Sequence, residues 1–180
     1  MKACPDGTVW VFGYGSLMTD GWEVRHNCLG RHIADLAGYC RVFNKASVRN
    51  WGTKTAPGLT LNLAKTESGI CRGVAFEFTD AQSGAVLKDL EEREGRNFEL
   101  TLLPVKLTDG RSVRAIVPLY AGPNIVELKT IDEMVRMILR AKGEKGICAD
   151  YVKQVAAQLE RLGINDAAVT SLEKAIPANK

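Results

Sequence analysis

The sequence predicts an α+β fold in a single domain that spans residues 1–180. Short β-type runs fill the first half of the chain, a hairpin pattern lies in the middle, and apolar residues repeat at helical spacing in the last third. The chain has 180 residues, of which 46% are hydrophobic. That length and composition provide one compact domain with a sizeable core and leave little for a second.

Six short runs are predicted as β-strands. In the run 71–78, Val74, Phe76 and Phe78 occupy every second position, as in a half-buried strand. Asp109-Gly110 separates the last two runs and is typical of a hairpin turn. The predicted strands are residues 9–12, 37–43, 59–63, 71–78, 98–107 and 112–120.

Four helices are predicted, one between the strands and three near the end of the chain. The first covers residues 80–94, begins at a Thr79-x-x-Gln82 capping box and is expected to stop at Gly95. The second follows a similar box at Thr130-x-x-Glu133. The third carries apolar residues 152, 155, 159 and 162 and ends at residue 163, and the fourth spans residues 167–176.

The stretch VWVFGYGSLM, residues 9–18, leads from an apolar strand into a glycine-flanked loop. Gly13 and Gly15 lie on either side of Tyr14 and permit both a sharp turn and the close approach of another molecule, because neither has a Cβ. The spacing fits neither a dinucleotide fingerprint, whose third glycine would stand at Met18, nor a P-loop or a lipase elbow. A tight turn and a binding loop both remain possible at this point.

The helix predicted over residues 80–94 directs one carboxylate toward the interior. At about 100° of rotation per residue, Val86 and Leu90 fall on one apolar stripe, and Glu94 continues that stripe four residues later. Glu91 and Glu92 fall off its centre. A buried carboxylate costs free energy unless it is paired or used. Glu94 is therefore an ion-pair partner, an exposed group at a frayed helix end, or a general acid or base.

Charge and cysteine spacing exclude several classes of partner. The net charge of +3 is too small, and the basic residues are too dispersed, to predict binding to nucleic acid or to an anionic membrane. No apolar run approaches the length of a membrane span. Five cysteines, at positions 4, 28, 40, 71 and 148, form no Cys-x-x-Cys pair. We therefore expect a cytoplasmic protein with neither disulfides, a metal ion nor a cofactor; its oligomeric state does not follow from the sequence.

Several motifs together resemble those of one enzyme family. They are FGYGSL at 12–17, RVFNKAS at 41–47, GTKTAPGLTLNL at 52–63, CRGVAF at 71–76, Arg93-Glu94, RSVRAIV at 111–117 and AKGEKGICADY at 141–151. In order and spacing the chain resembles the ChaC-like branch of the gamma-glutamylcyclotransferases over nearly its whole length. The resemblance implies a small, barrel-like mixed β-sheet with flanking helices, and conversion of glutathione into 5-oxoproline and cysteinylglycine without a cofactor.

The resemblance also implies which residues act. It places the catalytic glutamate at Glu94 and the substrate-holding loop at Tyr14, Gly15, Ser16 and Leu17. In such a reaction the substrate's own α-amine attacks its γ-carbonyl, so that one carboxylate suffices to move the proton. The backbone groups of the glycine loop are expected to hold the γ-glutamyl carboxylate and amine.

The chain departs from the family pattern at two places. Residues 95–98 read GRNF where relatives commonly have a glycine-rich stretch with a tyrosine, and Cys148 stands where they often have an asparagine. Three alternatives stay open: a non-catalytic ligand-binding member of the same fold, an enzyme for other γ-glutamyl amines or dipeptides, and a cysteine hydrolase. The last would use Cys28 with His26 or His32.

Overall fold

The structure is a computed structural model that describes residues 7–177. Five long strands form a closed barrel, and a separate hairpin joins two very short strands. The strands are β1 (Thr8–Gly13), β2 (Gly30–Ser47), β3 (Gly58–Thr79), β4 (Phe98–Leu107), β5 (Ser112–Tyr120), β6 (Lys142–Gly143) and β7 (Gly146–Ile147). The helices are α1 (Ser83–Glu94), α2 (Ile131–Arg140), α3 (Cys148–Arg161) and α4 (Ala167–Ala175).

The barrel has the strand order β1-β3-β2-β4-β5 and closes because β1 also pairs with β5. The β1–β5 pairing is parallel, whereas β1 pairs antiparallel with β3 and β4 pairs antiparallel with β5. The predicted barrel-like mixed sheet with flanking helices is thereby confirmed. Val11 and Phe12 are fully buried, as the uninterrupted apolar run of β1 predicts for a strand covered on both faces.

The hairpin between β4 and β5 forms where the sequence predicts it. Lys106 pairs with Ser112 at the last rung, and the backbone N–H of Leu107 donates to the carbonyl of Arg111 at 2.8 Å. Gly110 adopts a φ of +93°, which only glycine tolerates without strain. The Asp-Gly signal therefore identified this turn correctly.

Three of the other predicted strands prove to be parts of longer ones. Residues 37–43 lie within β2, and the runs 59–63 and 71–78 join into the single 22-residue strand β3. The mostly polar residues 64–70 lie between the two predicted runs and belong to neither of them. They continue the strand because pairing with β2 satisfies backbone groups regardless of side-chain polarity.

The helix predicted over residues 80–94 is present with a distinct first turn. Residues Asp80–Gln82 form a 3-10 turn, and α1 follows directly. The predicted capping box is confirmed, since Oε1 of Gln82 accepts a hydrogen bond from the backbone N–H of Thr79 at 2.8 Å. Gly95 ends the helix with a φ of +78°, and its N–H donates to the carbonyl of Glu91.

The chain comprises two compact units. Of the described residues, the first unit contains 7–40 and Lys65–Gly122, and the second contains Arg41–Ala64 and 123–177. Helix α1 and the paired residues of β1, β4 and β5 belong to the first unit. The single domain over residues 1–180 remains a prediction.

The second unit contains α2, α3 and α4. The capping box of Thr130 and Glu133 is confirmed at the start of α2, and Gly163 follows α3 with a φ of +65°. Arg41 is 3% exposed and pairs with Asp166, whose side chain also caps α4. The short β6–β7 hairpin was not predicted, because two-residue strands carry no periodicity.

The cysteines that the structure describes, Cys28, Cys40, Cys71 and Cys148, are all free thiols. Cys4 lies outside the described residues. Within residues 7–177, every helix is too short or too polar to traverse a lipid bilayer.

Candidate active site

The glycine loop begins where β1 ends, and close packing fixes its first turn. A Cβ at Gly13 would lie 3.0 Å from Cβ of Leu17, because the chain folds back on itself there. A Cβ on Gly73 of the neighbouring strand β3 would lie 2.3 Å from the carbonyl oxygen of Gly13. Close approach of the backbone therefore requires glycine at position 73, and a side chain at position 13 would force Leu17 to shift.

The loop continues as a single 3-10 turn, Ser16–Met18, which the sequence did not predict. The N–H of Met18 donates to the carbonyl of Gly15 at 2.9 Å. Leu17 is 4% exposed, and its carbonyl accepts a hydrogen bond from the indole Nε1 of Trp22 at 3.0 Å. Arg31 donates to the carbonyl of Met18. These hydrogen bonds from Trp22 and Arg31 hold the 3-10 turn in place.

Tyr14 faces the protein interior. The residue is 7% exposed, and its hydroxyl donates to the carbonyl of Pro118 on β5 at 3.0 Å. This hydrogen bond fastens the loop to strand β5 of the barrel. The tyrosine therefore packs against the interior and anchors the loop through its hydroxyl.

Gly15 and Ser16 face outward. A Cβ on Gly15 would meet no atom within 4 Å, so the space beside its Cα is open. Ser16 is exposed, and its Oγ accepts a hydrogen bond from the guanidinium of Arg93 at 3.1 Å. Of the four predicted loop residues, these two are accessible to a ligand.

Helix α1 carries Glu94 at its last position. Val86 and Leu90 are fully buried, so the stripe predicted from the sequence is the packed face of the helix. One to two turns before Glu94, Asp89 accepts hydrogen bonds from His26 at 2.9 Å and Arg25 at 3.1 Å, which tie α1 to the segment that follows the loop. The Glu94 side chain is 17% exposed, largely but not fully buried.

Arg93 is the residue at which the loop and the helix meet. Its Nε lies 3.3 Å from Oε1 of Glu94, and one terminal nitrogen donates to Ser16 and pairs with Asp20. The ion pair considered for Glu94 from the sequence therefore exists, with the adjacent residue as its partner. The Glu94 side chain is 17% exposed, and Arg93 links it to Ser16 in the accessible part of the loop.

Sequence reasoning missed Arg93 and Asp20 as members of this cluster. In the sequence, Arg93 stands out only as part of the Arg93-Glu94 motif. Asp20 offers one local signal, because its Oδ1 accepts from the N–H of Trp22 two residues later. That pattern predicts a turn and does not indicate a partner 73 positions away.

The cysteine-hydrolase alternative finds no support in the structure. The Sγ of Cys28 donates to the carbonyl of Gly30 at 3.1 Å, and desolvation raises the pKa of this thiol, the opposite of what activation requires. His26 bonds to Asp89, and His32 lies beside Glu77. Within residues 7–177 neither imidazole bonds to Cys28.

Cys148 has a structural explanation that fits its place in the family pattern. Its Sγ accepts from the N–H of Leu59 at 3.2 Å and donates to the carbonyl of the same residue at 3.3 Å. An asparagine amide offers the same pair of acceptor and donor. Cys148 therefore supplies both an acceptor and a donor to the backbone of Leu59.

Thiol labelling at pH 8 is expected to leave Cys148 unmodified in the native protein. Burial raises the pKa of this thiol to about 11, so only roughly one molecule in a thousand carries the reactive thiolate at that pH. Peptide mapping after iodoacetamide treatment measures the modification. We also expect activity to survive the labelling, and inactivation that tracks alkylation of Cys28 would restore the cysteine-hydrolase alternative.

Comparison with known proteins identifies relatives of this chain. A family model described as ChaC-like protein matches residues 9–179. The chain is 33% identical over 178 residues to the glutathione-specific gamma-glutamylcyclotransferase of Escherichia coli (strain K12), covering 94% of this chain and 74% of that protein. It is 30% identical over 175 residues to gamma-glutamylcyclotransferase 2-3 of Arabidopsis thaliana, covering 91% and 86%.

The fold has a close counterpart among solved structures. The crystal structure of a yeast gamma-glutamyl cyclotransferase specific to glutathione superposes with a TM-score of 0.81 at 19% identity, covering 93% of this chain and 95% of that one. At that identity the likeness establishes the shared fold. With the family model matched over nearly all of its sequence, the chain belongs to the ChaC-like protein family.

Proposed function

We propose that this chain is a gamma-glutamylcyclotransferase that acts on glutathione in the cytoplasm and releases 5-oxoproline and cysteinylglycine. One observation carries the proposal: in a ChaC-like chain, the Glu94 carboxylate and the accessible part of the glycine loop meet around Arg93. The name of the Escherichia coli relative, glutathione-specific gamma-glutamylcyclotransferase, supports glutathione as the substrate.

The proposed reaction is an intramolecular substitution at the γ-carbonyl carbon. The α-amine nitrogen of the γ-glutamyl group attacks that carbon, a C–N bond forms, and the carbonyl electrons move onto oxygen. When the carbonyl re-forms, the bond to the cysteine nitrogen breaks. Glu94 takes one proton from the attacking amine and delivers it to the departing nitrogen, so that no proton is lost or gained overall.

The loop of residues 13–17 is proposed to hold the γ-glutamyl end in a folded conformation. Ring closure requires the amine and the γ-carbonyl of a flexible chain to meet, and fixing that geometry removes a large entropic part of the barrier. The open space beside Gly15 lets a substrate approach the backbone of the loop, where N–H and C=O groups bind a carboxylate and an amine. Tyr14 and Leu17 keep the loop in place from the buried side.

Incubation of the protein with reduced glutathione tests the proposal directly. We expect 5-oxoproline and cysteinylglycine to accumulate in equal amounts, measured by mass spectrometry against a sample without enzyme. If glutathione persists unchanged while it protects the protein against thermal unfolding, the chain is a non-catalytic ligand-binding member of the fold. If neither turnover nor protection occurs, the proposal is wrong.

Exhaustive chelation is expected to leave the rate unchanged. Among residues 7–177, no three His, Cys, Asp or Glu side chains are grouped as metal ligands would be, and the proposed proton transfer needs only a carboxylate. The rate of 5-oxoproline release before and after dialysis against EDTA measures this. A loss of activity that a divalent ion restores would require a different mechanism.

A further inference from the structure

We infer that Arg93 and Asp20 are positioning residues for the proposed reaction: Arg93 holds the Glu94 carboxylate and the glycine loop in one arrangement, and Asp20 limits how strongly Arg93 attracts Glu94. The inference deepens the proposed function and rests on it. It concerns two residues to which neither the family motifs nor the sequence assigned a task.

The guanidinium of Arg93 connects the two halves of the site through different nitrogens. Nε faces Glu94 at 3.3 Å, while a terminal nitrogen donates to Ser16 at 3.1 Å and pairs with Asp20. A guanidinium is planar and presents its donors in a fixed fork. The rigid guanidinium of Arg93, on the last turn of α1, therefore sets the separation between the Glu94 carboxylate and Ser16 of the loop.

The cluster contains more negative than positive charge. Two carboxylates, of Glu94 and Asp20, share one guanidinium, and the three side chains are 17%, 34% and 23% exposed in the order Glu94, Asp20, Arg93. An undivided Arg–Glu pair would stabilise the ionised carboxylate and make it a weaker base. Asp20 competes for the same guanidinium and offsets part of that attraction.

The other charged groups near the end of α1 have partners of their own or lie on its exposed side. Asp89 is shared by Arg25 and His26, and Lys88 lies 3.9 Å from Glu92. Glu91 and Arg96 are exposed. Arg93 contacts Glu94 directly, and Asp20 contacts the same guanidinium, so these two charges are the ones that the variants below change.

Two substitutions test the charge balance, because they should shift the acidic limb of the kcat/KM–pH profile in opposite directions. Arg93→Gln removes the positive charge beside Glu94, so the acidic limb of the kcat/KM–pH profile should shift to higher pH by about 0.5 unit or more. Asp20→Asn removes the carboxylate that competes with Glu94 for Arg93, so the acidic limb should shift to lower pH by a similar amount. Asparagine keeps the oxygen that accepts from the N–H of Trp22.

A third variant separates charge from geometry. Arg93→Lys keeps the positive charge but loses the fork, so kcat should fall by roughly tenfold to a hundredfold while the acidic limb moves little. Two matched controls change exposed residues near the helix end. Arg96→Gln removes a positive charge, as Arg93→Gln does, and Glu91→Gln removes a negative charge, as Asp20→Asn does. We expect both controls to resemble the wild type in limb position and kcat.

Carbon-13 NMR titration of the Glu94 side-chain carboxyl in the same variants provides a readout that does not depend on turnover. The inference is supported if the titration midpoint of Glu94 moves in opposite directions in Arg93→Gln and Asp20→Asn, provided that both variants have native circular dichroism spectra. This support holds even if glutathione is not cleaved. Displacements in the same direction, no displacement, or equal effects in the controls would overturn it. If only the proposed function is wrong, the wild type would release no 5-oxoproline. The two variants would still show the opposite NMR displacements.

Discussion

Glu94→Gln is expected to leave the fold intact and to reduce 5-oxoproline release by about a hundredfold to ten-thousandfold. Glutamine has nearly the same shape and keeps an oxygen that accepts from Arg93, so the last turn of α1 should be preserved. It cannot take a proton from the attacking amine or return one to the departing nitrogen. The initial rate with saturating glutathione measures the loss, and circular dichroism establishes that the variant is folded.

Two neighbouring glutamates provide matched controls for this substitution. Glu91 and Glu92 lie on the same last turns of α1 but are exposed, and Glu92 faces Lys88. Glu91→Gln and Glu92→Gln should therefore retain near-wild-type turnover. A folded Glu94→Gln variant with near-wild-type turnover would show that the catalytic carboxylate lies elsewhere.

N-acetylated glutathione is expected to be inert, not merely slow. Acetylation removes the nucleophile itself, because the amide nitrogen that replaces the amine has no available lone pair with which to attack the γ-carbonyl. A hydrolytic mechanism, in which water attacks, would still cleave this compound. Release of cysteinylglycine from N-acetylglutathione over a long incubation is the measurement, and any enzyme-dependent release would refute the intramolecular mechanism.

The same assay distinguishes the glutathione-specific enzyme from a broader one. Binding energy from the cysteinylglycine portion can be used to orient the reacting end, so reduced glutathione should be cleaved more efficiently than γ-glutamyl-alanine. Oxidised glutathione should be disfavoured by its bulk. Equal kcat/KM values for glutathione and the dipeptide would place the chain among enzymes for γ-glutamyl dipeptides in general.

The sequence determined the elements whose causes are local. The Asp109-Gly110 turn, the capping box of Thr79 and Gln82, and the glycine stop at Gly95 all lie where the sequence predicts them. Each depends on residues within a few positions of one another, so the responsible groups can be read directly from their spacing. The carboxylate at the end of the packed stripe of α1 could be predicted for the same reason.

The tertiary structure alone decided how these elements combine. Residues 64–70 continue β3 through pairing with β2, which their own polar sequence does not indicate. Arg93 meets Ser16 across 77 positions and Asp20 across a similar separation, because β1, its loop and α1 pack in one unit. No local periodicity encodes a contact of that range. The sequence by itself therefore determined the carboxylate and the loop, and the fold decided which charges surround them.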